Sequence, residues 1–279
     1  IIAWGDRDLT IHGPCVAVDL ANPADQNYLQ IFDQTFQYAK KCNAEFVVVH
    51  SNETTNGDIA ELKALVIERF HKIIDLAKVY DVTVAIENVG IACKNNVLFT
   101  FEDFIKLPAE FPDAKFLIDT GHAHCNGWDL AETVKAVAPV LIGCHVHDND
   151  GTADAHLPVG QGNIDWDSYF EAIKTYAPNA VQTMEYCCGF ANAAELEAHL
   201  EELKAKYEIA GKKVDQLHKA LDCLEEQERT ALEFFYIHRS KNHIERLCFE
   251  FGCEKSQVYE IKDKALVKLA KTLYGCAEL

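Results

Sequence analysis

Short β-branched and apolar runs recur along the first two thirds of the chain: Asp8–His12 (DLTIH), Glu45–His50 (EFVVVH), Val82–Glu87 (VTVAIE), Lys115–Asp119 (KFLID), Val140–His147 (VLIGCHVH) and Ala180–Glu185 (AVQTME). Between them the apolar positions take helical spacing. In Tyr28–Lys41, Leu29, Phe32, Phe36 and Ala39 fall on one face; in Ile59–Val79, Leu62, Leu65, Val66, Phe70, Ile73, Ile74 and Ala77 do the same. Strands alternating with helices predict βα units and a parallel sheet. An open doubly wound sheet and a closed barrel both satisfy that alternation, and the strand ends decide between them. His12, His50, Glu87, Asp119, His145 and Glu185 stand at or near the ends of successive runs, 26 to 40 residues apart. In an open sheet such ends spread along a line. In a barrel they converge on the C-terminal mouth, where active sites of that fold form. The expected fold is therefore α/β, a TIM (β/α)8-type barrel. With six strands visible it is expected to be N-terminally truncated by up to two, which would leave unpaired edges.

The pattern changes after residue 211. Val214–Leu224, Gln227–Ile237, Asn242–Phe251 and Glu254–Leu273 each carry apolar residues at helical spacing, and Gly252 separates the last two. A short helix, a glycine-bearing turn and a longer helix predict a small all-α helix-turn-helix domain over 212–279, with the barrel over 1–211. Charge shifts at the same place. Residues 1–211 hold 14 Lys+Arg and 32 Asp+Glu, a balance of −18, and residues 212–279 hold 12 of each.

The whole chain has 279 residues, is 49% hydrophobic and carries −18. That composition excludes a disordered or collagen-like chain, and no apolar run approaches the roughly 18 residues of a membrane span. The acidity argues against general affinity for nucleic acid, which needs clustered Lys and Arg. The eleven cysteines form no C-x-x-C pair, so the expectation is reduced thiols in a cytoplasmic protein rather than a zinc ribbon.

Chemistry concentrates at the strand ends. Glu87 tips a buried strand, where an unpaired carboxylate is costly. Asp119, His122 and His124 share D-T-G-H-A-H; His145 and His147 alternate on one strand face. Asp154 and His156 follow on a loop, and Glu185 closes the set. One histidine at a strand end means little, but seven of twelve cluster at or just after such ends, beside four carboxylates. Imidazole and carboxylate together suit zinc, manganese, iron or cobalt. His124 is expected outside the first ring of ligands, and His71, His199 and His218 on solvated helix faces.

The H-G-P, V-V-V-H, I-E-N, I-D-T-G-H and H-V-H-D-N-D-G…D-A-H-L-P-V-G-Q-G-N-I-D-W stretches of residues 9–190 resemble the xylose-isomerase-like TIM barrel superfamily, which groups sugar isomerases and epimerases with endonuclease IV. In the sugar branch the resemblance implies one divalent metal (manganese, cobalt or zinc) held by Glu87, Asp119, His145 and Glu185, with His122 touching substrate. Glu87 and Glu185 would exchange a proton through an enediolate of a sugar or sugar phosphate. In the nuclease branch it implies up to three zinc ions, with His12, His50, His122, Asp154 and His156 as additional ligands and abasic DNA as substrate. All nine residues are present, so ligands alone leave the branches open. The H-L-P-V-G-Q-G-N-I-D-W wording, the −18 charge and short loops without basic or aromatic inserts favour the sugar enzyme. The tail is similar to the C-terminal helix-turn-helix domain of bacterial sigma factors. That implies duplex DNA contacts from Lys255, Ser256, Gln257, Tyr259 and Lys262, although the tail is neutral. An oligomer is compatible with all of this.

Overall fold

The computed structural model describes residues 8–187, 189–237 and 242–274. The chain separates into two compact units, Ile1–Tyr207 and Glu208–Leu279.

In the first unit six strands, β1 (Ile11–His12), β2 (Val47–Val49), β3 (Val84–Glu87), β4 (Lys115–Asp119), β5 (Leu141–Val146) and β6 (Val181–Met184), form one sheet in sequence order. Every neighbouring pair is parallel. Helices return the chain between them: α1 (Tyr28–Cys42), α2 (Ile59–Tyr80), the short α3 (Phe101–Phe104) and α4 (Leu107–Glu110), α5 (Thr120–Cys125), α6 (Leu130–Val137) and α7 (Trp166–Tyr176). This is a half-barrel of the TIM type. The expected strands are all present but shorter than their apolar runs, because the flanking residues turn out of the ladder. Asp8–Thr10 lies outside β1, and His50, His147 and Glu185 each stand just past a strand end.

Burial explains the patterning. Phe32, Phe36 and Ala39 of α1 and Leu62, Val66, Phe70, Ile73, Ile74 and Ala77 of α2 are buried. Phe46, Val48, Ala85 and Leu117 make a core cluster from adjacent strands. Asp58 caps α2 by accepting from the N–H groups of Ala60 and Glu61. Arg69 on α2 is 3% exposed and donates to the carbonyls of Leu20 at 3.1 Å and Asn22 at 2.9 Å, with its guanidinium 4.7 Å from the Tyr28 ring. It ties the loop after β1 to the helix behind it.

The second unit is helical: the end of α8 (Ala193–Asp222), α9 (Glu226–Leu232), α10 (His243–Phe251) and α11 (Lys255–Tyr274). Gly211, at the charge shift, lies inside α8, which continues through it. The helix expected over 227–237 ends at Leu232 and widens into a π-helical turn, Glu233–Ile237. Phe235 in that turn lies 5.2 Å from the His243 ring and 5.5 Å from the Tyr259 ring. Gly252 ends α10 in the left-handed conformation at φ 64°, as a helix C-terminus favours. Glu228 is buried and paired with Lys268 at 2.8 Å.

Candidate metal centre

The parallel register puts the strand ends side by side, Asp119 opposite His145 on β4 and β5. Asn88 locks the neighbouring ends. Its side chain accepts from the Asp119 N–H at 2.7 Å and donates to the Asp119 carbonyl at 3.1 Å. Asp119 also begins α5: Oδ1 accepts from the His122 backbone N–H at 2.7 Å, which leaves Oδ2 for the pocket.

Glu87 is the hub. One oxygen lies 3.0 Å from His50 Nε2 and 3.8 Å from His12 Nε2, and the other lies 3.2 Å from His145 Nδ1. His145 Nδ1 is also 3.4 Å from Glu185 Oε1. On the other side His122 Nε2 lies 3.4 Å, and His156 Nε2 3.2 Å, from Asp154 Oδ2. His122 Nδ1 contacts the Asn88 carbonyl at 3.0 Å, and His156 Nδ1 the Glu185 carbonyl at 2.9 Å. His156 holds a left-handed φ of 46°, a region that histidine enters more readily than most non-glycine residues. Eight of the nine residues expected as ligands, His12, His50, Glu87, Asp119, His122, Asp154, His156 and Glu185, line one cavity of about 240 Å³, and the ninth, His145, touches Glu87 and Glu185 of its wall. Besides the histidines, the cationic side chain lining it is Lys94.

The sequence places His147 beside His145 but gives it no ligand role. It is fully buried, its Nε2 lies 3.0 Å from Asp119 Oδ2, and its ring stacks on His156 with centroids 3.9 Å apart. The H-x-H spacing with His145 was the available signal. Gly121 makes room for it: a Cβ there would sit 2.0 Å from His147 Cε1. Cys15 was missed, and its thiol comes within 4.8 Å of ring nitrogens of His12 and His50. His124, expected outside, contacts Asn163 at 2.5 Å, and His71 pairs with Glu110 at 3.0 Å.

The donor set fits a divalent cation. Donor atoms fall within 4.8 Å of one another in the sets His12/Glu87/His145, Glu87/Asp119/His122, Asp119/His147/Glu185 and His147/Asp154/His156. His147 Nδ1 and Asp154 Oδ1 are buried without a hydrogen-bond partner, a costly condition that a bound cation would relieve at the carboxylate. Proton affinities tell the same story. Burial works against a charged His122, but Asp119, Asp154 and Glu87 outweigh it and push the imidazole up to about 10. Hydrogen bonding to Asp154 lifts His156 to about 9 against its partial burial. Burial likewise opposes charge on Glu87 and Asp119, yet the facing imidazoles hold both carboxyls below their usual range. The facing carboxylates thus favour positive charge at His122 and His156.

Cys15, Cys42, Cys93, Cys125 and Cys144 are free thiols. Among the described residues no helix is long and apolar enough to cross a membrane.

Comparisons with known proteins agree with this architecture. The uncharacterized protein MJ1311 of Methanocaldococcus jannaschii is 26% identical over 226 residues, 76% of this chain and 74% of its own length. The structure of a D-tagatose 3-epimerase-like protein matches with a TM-score of 0.66 and 23% identity, over 75% of this chain and 80% of that one. The IOLI protein with a binding zinc atom matches with a TM-score of 0.58 and 20% identity, over 74% and 77% of the two chains. At such identities the two structural matches speak to fold. The model of the family described as xylose isomerase-like TIM barrel matches residues 5–206, and the chain belongs to that family.

Proposed function

We propose that the first unit is a divalent-metal-dependent sugar isomerase or epimerase that moves a proton beside a carbonyl. The observation that carries this reading is the meeting of two carboxylates on one imidazole: His145 Nδ1 lies 3.2 Å from Glu87 Oε1 and 3.4 Å from Glu185 Oε1, at the mouth end of the strands. The epimerase-like fold match supports it, and so does the zinc atom in a second structure of this fold. A divalent cation held by Glu87, Asp119, His145 and Glu185 would supply Lewis-acid polarisation of the substrate carbonyl and acidify the neighbouring C–H. The chain's own groups do the rest. Glu185, with 28% of its side chain exposed, is the open carboxylate and is assigned removal of the proton. Glu87, 1% exposed, is assigned its return, passing on a proton taken from the His50 imidazolium whose Nε2 lies 3.0 Å from its carboxylate. His122, with Nδ1 on the Asn88 carbonyl, presents Nε2 to a substrate hydroxyl. Lys94 at the rim offers a contact for a phosphorylated sugar.

Glu87→Gln and Glu185→Gln are each expected to abolish ketose conversion by the metal-loaded chain while its far-ultraviolet circular dichroism stays unchanged. Turnover surviving either change overturns the assigned roles.

A second reading has its own observation. The His122–Asp154–His156 set, beside the Glu87 hub, is the arrangement a multinuclear zinc phosphodiesterase needs. Against it stands the charge of −18 over residues 1–211, which even three Zn²⁺ leave strongly negative toward a DNA backbone. Metal analysis separates the two: one ion per chain with ketose turnover supports the first, three zinc ions with cleavage of abasic DNA the second.

For the helical unit, duplex reading by α11 stays a proposal. Lys255, Ser256, Gln257 and Tyr259 are exposed, which supports it. Lys262 is half-buried, paired with Asp263 and set about 5.8 Å from the Phe235 ring. Salt-dependent binding of a duplex library by the full chain tests this; absence of binding at low salt rejects it.

A further inference from the structure

A second and larger cavity, about 760 Å³, opens beside the metal centre and has no part in the chemistry above. The same three segments wall both. After β3, Gly90 and Ile91 face the metal pocket and Ala92 the groove. Further along, Asn96 faces the metal pocket, and Asn95 and Val97 the groove. After β4, His122 belongs to the metal centre and Asn126 and Trp128 to the groove. Asn126 stitches the partition together, donating to the Gly90 carbonyl at 2.8 Å and accepting from the Ala92 N–H at 2.9 Å.

The lining has a definite chemistry. The Trp128 indole is half-buried, set edge-on to Phe101 at 5.6 Å and tilted against buried Phe104 at 5.7 Å, so the ring is braced. Its N–H and the side-chain amide of Asn95 make no hydrogen bond within the described residues, so both are available to a ligand. Glu102, Asp129 and Glu132 supply acceptors, and among the described residues no Lys, Arg or His lines the groove. Carboxylates without a cation repel phosphate and carboxylate ligands. A flat, fixed aromatic face with hydroxyl-binding groups around it matches a neutral pyranose, whose C–H face packs on the ring while its hydroxyls meet the acceptors.

We propose that this groove is a binding site for a neutral sugar ring seated on Trp128. This site stands apart from the sugar-enzyme reading of the metal pocket and does not rest on it.

The test uses the full chain, cellobiose and maltose as probes, and saturation-transfer NMR with calorimetry, in parallel with zinc and after chelation. At least one disaccharide is expected to bind in both states. Its affinity falls at least about tenfold in Trp128→Ala, equivalent to about 1.4 kcal/mol, and is largely kept in Trp128→Phe, with zinc stoichiometry unchanged in both variants. Neither disaccharide binding, binding indifferent to Trp128→Ala, or displacement of the sugar by spermidine each overturns the proposal. Failure of the chain to bind zinc, with disaccharide binding intact, instead removes the metal-centre reading and leaves the groove as a sugar site.

Discussion

Asp148 supports the loop that carries Asp154 and His156, and its replacement by asparagine tests whether that loop is held from below. The side chain is fully buried and acts as an acceptor four times. Oδ2 takes the Gly160 N–H and the Trp166 indole N–H, both at 2.8 Å; Oδ1 takes the N–H groups of Asn149 at 2.9 Å and Ile164 at 3.3 Å. Its backbone pairs with Leu157 in both directions, at 2.7 and 2.9 Å. A carboxylate matches four donors. An amide does not, because whichever way it turns, an NH₂ group faces two N–H donors. The less costly choice sets the NH₂ toward Asn149 and Ile164, the longer pair. Two hydrogen bonds to a charged group are then lost, at about 1.5–3 kcal/mol each. Relief of carboxylate desolvation returns part of that, so the net cost is about 3 kcal/mol. For a unit of this size that corresponds to a fall in Tm of about 6–12 °C. Urea unfolding followed by tryptophan fluorescence reads the cost, because Trp166 is one of the four donors. Asp150→Asn, at an exposed neighbour, is the control and is expected to stay within about 0.5 kcal/mol. If Asp148→Asn also stays within that range, the network does not hold the loop and the reasoning fails.

Three further outcomes follow from the geometry. Gly121→Ala drives a methyl group into His147; it is expected to destabilise by about 1–3 kcal/mol and to weaken zinc binding, both read by thermal shift with and without zinc. Arg69→Met strands the carbonyls of Leu20 and Asn22, at a cost of about 2–3 kcal/mol, and limited proteolysis is expected to cut first between residues 14 and 26. Burial, with Asp154 and other nearby acidic groups adding to it, pushes the Cys125 thiol up to about 12. At pH 8 its thiolate fraction is on the order of 10⁻⁴, and Cys125 should label with iodoacetamide far more slowly than exposed Cys93, as peptide mass spectrometry will show. Equal labelling contradicts the burial argument.

Much of the half-barrel was legible because its signals are local. A β-branched run bounded by helical spacing marks each strand, and a metal-capable side chain at each run's end marks the mouth. Glu87, Asp119, His145 and Glu185 could be read because position along a parallel strand fixes which end a residue occupies. His147 stood out by its H-x-H spacing with His145, but its role did not, since it lies beyond the end of β5 and depends on Asp119 and His156, partners 28 and nine residues away. Asp148 was invisible for the same reason: three of its four donors, Gly160, Ile164 and Trp166, are brought to it only by the folded loop. The groove at Trp128 is assembled from three loops, and no spacing within any one of them announces it. In the tail the charge shift at Gly211 was real, but charge does not interrupt a helix, and α8 continues through it.

Asp119 serves two masters with one side chain, starting α5 through Oδ1 and meeting His147 through Oδ2. Anything that draws electron density toward Oδ2 weakens the acceptor that holds the His122 amide. Loading the pocket should therefore register as a change in hydrogen–deuterium exchange at a backbone position that touches no ligand, which gives this chain a built-in reporter of occupancy at the first turn of α5.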